Sequence, residues 1–216
     1  SVASFHERWL TDRLQSAGVN RAVRVHGGDR AWLVRVDAHA DYPHAYVSRL
    51  IDEAVEVGAD SVVVSMLTRS EGGFQTAAAV AQNSVLGAGG SAHRKAGEGR
   101  FVDHGHHALT RIDAYRAVGG YDESFVANED AELDQRLLSY GARIWLSGRT
   151  TIGYWPRRTP GALWRQYLRY GEGRARTVLR HRLTPKPRQS LPLLVAPALV
   201  VLPLAPIAPV LAIPAL

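Results

Sequence analysis

Cysteine is absent from the 216 residues. That excludes disulfides, thiolate metal centres and cysteine nucleophiles, and it agrees with a reducing compartment. Acidic residues are nearly missing from 157–188, where ten Arg and Lys meet a single acid, Glu172, for a local balance of +9. The overall charge of +6 therefore leaves −3 for the remainder of the chain. Basicity confined to one segment points to a local anionic partner such as phospholipid or phosphate, and no nucleic-acid partner is expected. Charged residues of either sign are missing from 191–216, "LPLLVAPALVVLPLAPIAPVLAIPAL". That length can span a hydrocarbon core of roughly 30 Å. Its six prolines are many for one helix, although neighbouring helices can accommodate such breaks in a membrane. The expectation is a truncated membrane region; the alternative is an Ala/Pro/Leu tail, which in water should carry polar residues.

What is present argues for a packed core. Hydrophobic residues make up 46% of the chain and charged residues 21%, enough for one domain of ordinary size plus an appendage. No internal repeat is evident. Residues 6–17 have helical character, and a strand is expected over 30–37 after the turn "HGGD". In "PHAYVSRLIDEAVEVGAD", Tyr46, Leu50, Ala54 and Val57 share one helical face, and Gly58 is a plausible stop. "SVVVSML" (61–67) reads as a buried strand, and "FQTAAAVAQNSVLGAGG" as a helix with a glycine-rich end. Residues 90–100 read as a mobile polar loop. Residues 111–125 give a short helix and a double-glycine turn. "EDAELDQRLLSYG" reads as an amphipathic helix with Leu133, Leu137 and Tyr140 inward, closed by Gly141, and "ARIWLS" as a strand. Strands alternating with helices predict an α/β sandwich with a largely parallel sheet.

Three stretches carry chemistry. In "AWLVRVDAHADYP" an apolar strand ends in Asp37, with His39 two residues on and Asp41 two beyond that. Open α/β sheets bind ligands at such carboxyl ends. Asp37 and His39 project to one side if the chain stays extended, offering a carboxylate and an imidazole to Mn²⁺, Mg²⁺ or Zn²⁺. A solvated strand end with an Asp-capped turn explains the same residues. In "VGGYDESFVANEDAELDQRL", Asn128, Glu129 and Asp130 stand at a helix start, where acids favour the helix dipole and where a rigid general base could also sit. In "WRQYLRYGEGR" and the residues after it, Trp164, Leu168, Gly171, Ala175 and Val178 line one helical face, and Arg165, Arg169, Arg176 and Arg180 another. That is how a helix lying in a membrane interface reads. "VDHGHHAL" adds Asp103, His104, His106 and His107, expected as a loop near the substrate pocket with one or two histidines hydrogen-bonded. The glycines of 87–90 read as a helix stop rather than a phosphate loop.

In this order the three stretches resemble the family 2 glycosyltransferases, and within them the succinoglycan-type exopolysaccharide glucosyltransferases of bacteria. The resemblance runs from about residue 18 to the C-terminus. It implies a GT-A fold, a nucleotide-sugar donor such as a UDP-hexose, and a divalent cation (Mn²⁺ or Mg²⁺) at a D-x-D position that here reads Asp37-Ala38-His39. It implies Asp130 as catalytic base with Glu129 beside it. Asn20 and Arg35 fall on the donor side, and Gly120, Asn128, Gln166 and Arg169 on the acceptor side. The family's Q-x-x-R-W signature appears as Gln166-Tyr167-Leu168-Arg169-Tyr170, with Tyr in place of Trp.

The resemblance also implies an N-terminal strand and helix around the nucleotide base, and residues 1–17 do not read as that unit. The chain is therefore expected to be a fragment, or to have lost the donor-base site. The expected organisation is a partial catalytic domain (1–156), a basic amphipathic interface segment (157–188) and a hydrophobic membrane segment (189–216). The expected activity is inverting, metal-dependent transfer to a lipid-linked glycan in exopolysaccharide or cell-envelope synthesis. It would take place at the inner membrane with the catalytic domain on the cytoplasmic side. Two other readings stand beside it: a metallohydrolase using Asp37, His39, Asp41 and the 103–107 histidines, and a catalytically silent membrane-binding remnant.

Overall fold

The computed structural model describes residues 15–38, 40–84 and 98–184. The chain divides into two compact units after Thr177. In the first, helix α1 (Gln15–His26) precedes β1 (Trp32–Val34), β2 (Ala40–Asp41), α2 (Tyr46–Val57), β3 (Ser61–Thr68) and α3 (Phe74–Asn83). There follow β4 (Arg100–Phe101), β5 (His106–Arg111), α4 (Ile112–Ala117), α5 (Glu129–Tyr140), β6 (Ile144–Tyr154) and α6 (Pro160–Arg180), which runs on across the division.

The sheet runs β1-β5-β3-β6-β2, with β4 also on β6. This is the expected α/β class, but the sheet is mixed rather than largely parallel. Among the described residues only β3 and β6 run parallel, while β1/β5, β3/β5, β2/β6 and β4/β6 are antiparallel. The difference arises at β5, where "HHALTR" forms a strand instead of the expected loop and enters between β1 and β3. Its polar start hides the strand from a hydrophobic pattern search, although Ala108 and Leu109 are fully buried.

Elsewhere local chemistry sets the elements as expected. The β-branched run of β3 is buried on both faces at the centre of the sheet. Helix α2 buries Tyr46, Leu50 and Ala54 against it, and Gly58 closes the helix at φ 66°. Helix α5 places Leu133 and Leu137 in a second cluster with Val23, Tyr115 and Tyr121, while Tyr140 is 61% exposed rather than inward. Strand β6 is longer than the expected 142–147. Its pairing to β3 jumps from Leu146 to Thr151, and the excursion is held by Glu53, which accepts from Trp145 Nε1 (2.8 Å), Ser147 Oγ (2.6 Å) and the Gly148 amide (3.1 Å). A buried carboxylate with three donors is stable where a bare one would not be.

Several expectations fall on undescribed residues: most of the 6–17 helix, the glycines of 87–90 and nearly all of the 90–100 loop. Among the described residues no helix is long and apolar enough to cross a membrane, and the 189–216 segment lies outside them.

Helix α6 has a third face that its composition does not announce. Besides the exposed Trp164 and Leu168 and the exposed arginines, it packs through Gln166, Gly173 and Thr177. A Cβ on Gly173 would stand 2.3 Å from the Ala127 carbonyl oxygen and 2.8 Å from Asn128 Cβ, whereas nothing lies within 4 Å of one on Gly171. Gly173→Ala should therefore destabilise the fold by about 1–3 kcal/mol in urea unfolding. Gly171→Ala should be neutral, or stabilising by up to about 1 kcal/mol. Equal effects would contradict this packing.

Candidate active site

The site is organised around Arg35, one residue past β1. Its side chain is only 11% exposed and its guanidinium meets three carboxylates. Nη1 donates to Asp130 Oδ1 and to the Tyr121 hydroxyl (2.8 Å), Nη2 donates to Glu129 Oε1 (3.4 Å), and Nε stands 4.0 Å from Asp37 Oδ1. Arg35 Nε is buried without a hydrogen-bond partner. Asp37 from the end of the β1 segment and Glu129-Asp130 from the start of α5 thus converge on one cation. Burial opposes the charge on Arg35, yet Asp130, Tyr121, Glu129 and Asp37 together hold its pKa above the usual value.

Each carboxylate is differently placed. Burial pushes the Asp130 carboxyl up, but Arg35 and then His107 and His106 hold it well below the ordinary range. Burial and the neighbouring Asp130 raise Glu129, partly offset by Arg35. Asp37 accepts a 3.4 Å bond from Gln15 Nε2, and its amide donates to the Tyr42 hydroxyl at 2.5 Å. His106 Nε2 lies 3.6 Å from Asp37 Oδ2. Burial lowers the His106 pKa against the pull of Asp130 and Asp37, which favours the neutral ring.

The adjacent His107 has other partners. The β3/β5 register slips between Val62 and Val63, opposite Ala108, and such a bulge re-aims the side chains beside it. His107 Nε2 donates to Asp134 Oδ1 and His104 Nδ1 donates to Asp134 Oδ2, both at 2.6 Å. Asp134 is fully buried and lies one turn after Asp130 on the same face of α5. Burial disfavours charge on both members of the pair. Even so, Asp134 and then Asp130 raise the His107 pKa, while His107 and His104 lower that of Asp134.

The remaining sequence-assigned residues are distributed as follows. Asn20 is buried in α1, and its amide brackets Tyr121: Oδ1 accepts from the Tyr121 amide (2.9 Å) and the Tyr115 hydroxyl (2.6 Å), and Nδ2 donates to the Tyr121 carbonyl (2.8 Å) and Glu123 (2.8 Å). Gly120 adopts φ 72°, and a Cβ there would meet Asn20 Oδ1 at 2.5 Å. Arg136, paired to Glu132, donates to the carbonyls of Val118 (2.5 Å) and Gly120 (2.6 Å), which fixes the turn. Asn128 precedes α5 in the left-handed region at φ 65°, and its amide donates to Thr177 Oγ1 at 2.8 Å rather than capping the helix. Gln166 donates to the hydroxyls of Tyr154 (3.3 Å) and Tyr170 (2.9 Å), and Arg169 is exposed. Asp41 pairs with Arg69 at 3.0 Å, and His39 lies outside the described residues.

Among the described residues no group of three or more His, Asp or Glu could hold a metal ion. The expectation of one or two hydrogen-bonded histidines holds for His104 and His107. Tyr121 and Asp134 carry no assignment from sequence, where the one available signal is the four-residue spacing of Asp130 and Asp134, and His107 is expected only among the histidines near the pocket. A cavity of about 450 Å³ opens beside Ala38 and Ala40, walled by Trp155, Pro156 and Arg157.

The Asp134–His107 pair makes stability pH-dependent. The depressed carboxyl contributes above the ordinary Asp value of about 3.9, and the elevated imidazole contributes below the ordinary His value of about 6.5. The loss of unfolding free energy in Asp134→Asn should thus be largest between about pH 4 and 6.5. It should shrink on acidification through the native Asp134 pKa and on alkalinisation through the native His107 pKa. Urea titrations across pH 3–9 measure it, and a pH-independent difference would contradict the pairing.

No protein-family model matches the chain. It is 55% identical over 185 residues to the succinoglycan biosynthesis protein ExoA of Rhizobium meliloti (strain 1021), a match covering 86% of this chain and 56% of that protein. The chain thus spans a little over half the length of this relative. Identity of that order across most of the chain bears out the likeness to succinoglycan biosynthesis proteins carried by the three ordered motifs.

Proposed function

We propose that the chain carries the catalytic centre of an inverting glycosyltransferase of GT-A type. It moves a hexose from a UDP-hexose to a lipid-linked glycan in exopolysaccharide or cell-envelope polysaccharide synthesis. The observation that carries this reading is the convergence of Asp37, Glu129 and Asp130 on Arg35. Strand-end acid and helix-start acid, 93 residues apart in sequence, face one guanidinium.

A divalent cation, Mn²⁺ or Mg²⁺, fits the residues present. Asp37 and His106 bring a carboxylate oxygen and a neutral ring nitrogen within 3.6 Å of each other, a donor set suited to such ions, whose other ligands are commonly substrate phosphates. Asp37 and His106 would hold it, and when bound it would supply positive charge beside the departing diphosphate. Arg35 Nε–H is buried 4.0 Å from the Asp37 carboxylate, without a hydrogen-bond partner.

Asp130 accepts the proton of the acceptor hydroxyl as that oxygen attacks the anomeric carbon from the face opposite the leaving group, so configuration inverts in one displacement. Glu129, with its raised pKa, stands beside it. Asn20 serves the donor side indirectly, through the Tyr121 segment it clamps. Gly120 and Asn128 flank the base, and Gln166 and Arg169 of α6 serve the acceptor. The exposed Trp164, Leu168 and arginines of α6 meet the cytoplasmic face of the inner membrane, where each Lys or Arg contributes about 1 kcal/mol near an anionic surface.

Two outcomes test the reading. Asp130→Asn should lower hexose transfer from UDP-hexose to a membrane lipid fraction by about 10²- to 10⁴-fold; retained transfer by the folded variant would exclude Asp130 as base. UDP with Mn²⁺ should raise the melting temperature of the parent chain and not that of Asp37→Asn. Absence of any shift in the parent would favour a silent remnant.

A further inference from the structure

Four residues that the transfer chemistry does not use directly form a continuous chain behind Asp130. His104 and His107 each donate a 2.6 Å bond to a different oxygen of the fully buried Asp134. His107 Nδ1 lies 3.4 Å from the Tyr121 hydroxyl, and that hydroxyl donates to Asp130 Oδ1 at 2.8 Å. A phenol has one proton and two lone pairs. The Tyr121 proton goes to Asp130, so its oxygen accepts from Arg35 Nη1 on one side and, with the His107 ring protonated beside Asp134, from His107 Nδ1–H on the other. Asn20 holds the backbone of the same tyrosine through both its amide and its carbonyl. The hydroxyl is thus fixed from the main chain and from two side chains.

We propose that Asp134 is a positioning residue for the sugar-transfer reaction, acting through His107 and Tyr121 to fix the Asp130 carboxylate. The inference rests on the transferase reading given above. Its physical basis is geometric. A base must point a particular oxygen lone pair at the acceptor hydroxyl, and misplacement by about 1 Å costs on the order of a hundredfold in rate. Tyr121 occupies one site on Oδ1, which orients the carboxylate. Asp134 fixes the imidazole plane that meets Tyr121, in the way outer-shell carboxylates orient catalytic or ligating histidines. The four-residue spacing of Asp130 and Asp134 puts the base and the anchor of its support on the same helix face, so the rigid element carries both ends of the arrangement.

The test uses UDP release from UDP-glucose with Mn²⁺, together with imidazole ¹⁵N–¹H spectra of the intact chain. The parent should show His107 with a slowly exchanging Nε2–H, which Asp134→Asn removes. Tyr121→Phe should keep that proton and move the His107 Nδ1 resonance. Both variants should lower kcat by about tenfold to a hundredfold with KM for UDP-glucose nearly unchanged. Tyr121→Phe preserves shape and covers the case in which Asp134→Asn folds poorly. If Asp130→Asn abolishes turnover while Tyr121→Phe and Asp134→Asn keep the parental kcat, the positioning role is overturned and the transferase reading stands. If Asp130→Asn itself turns over normally, the transferase reading falls. Should the parent release no UDP, the spectra decide: a His107 proton that exchanges freely, or one unaffected by Asp134→Asn, overturns the proposal.

Discussion

A guanidinium that cannot lose its proton is buried among acids, and this constraint shapes the molecule. Arg35 is protonated at any relevant pH, so enclosing it requires compensating carboxylates. Asp37, Glu129 and Asp130 provide them from two distant parts of the chain. The sheet brings β1 beside β5, α5 lies over the cluster that includes Leu133 and Leu137, and the acids at its N-terminus meet the arginine. Removing any one partner would leave charge unbalanced in a poorly hydrated place, which is costlier than losing an ordinary contact.

That balance also suits a site whose occupants are charged. In the proposed reaction a diphosphate brings negative charge and a divalent cation brings positive charge, and Arg35 would meet both. An arginine already shared among three acids can be redistributed without being created or destroyed, so binding exchanges ionic partners rather than exposing bare ones. Behind Asp130 lies a second, drier layer in which Asp134, His107 and Tyr121 satisfy one another. Fully paired buried networks of this kind rigidify the groups they touch.

Much of this was legible in the sequence, and the exceptions have physical reasons. Helices α2 and α5 announce themselves through apolar spacing and glycine stops at Gly58 and Gly141, and β3 through its β-branched run. Strand β5 does not, because its first two residues are histidines whose burial depends on partners remote in sequence. The parallel-sheet expectation failed with it: once β5 enters the sheet between β1 and β3, both of its neighbours are antiparallel. The Asp37 and Glu129-Asp130 motifs were visible as local patterns, and a strand end and a helix start are where such acids are easiest to notice. Asp134 was not, since an acid in the middle of an amphipathic helix ordinarily reads as solvated surface. Nor was the packing line of α6, because Gly173 and Thr177 are unremarkable until Ala127 and Asn128 are placed against them.

The central claim is that Asp37, Arg35 and Asp130 surround one substrate position. A crystal of the chain soaked with UDP and Mn²⁺, measured at the manganese absorption edge, tests it most directly. The account predicts an anomalous peak on the Asp37 carboxylate with the diphosphate drawn toward Arg35 on the side that faces Asp130. A peak bound elsewhere, or a nucleotide seated away from Arg35, would contradict it.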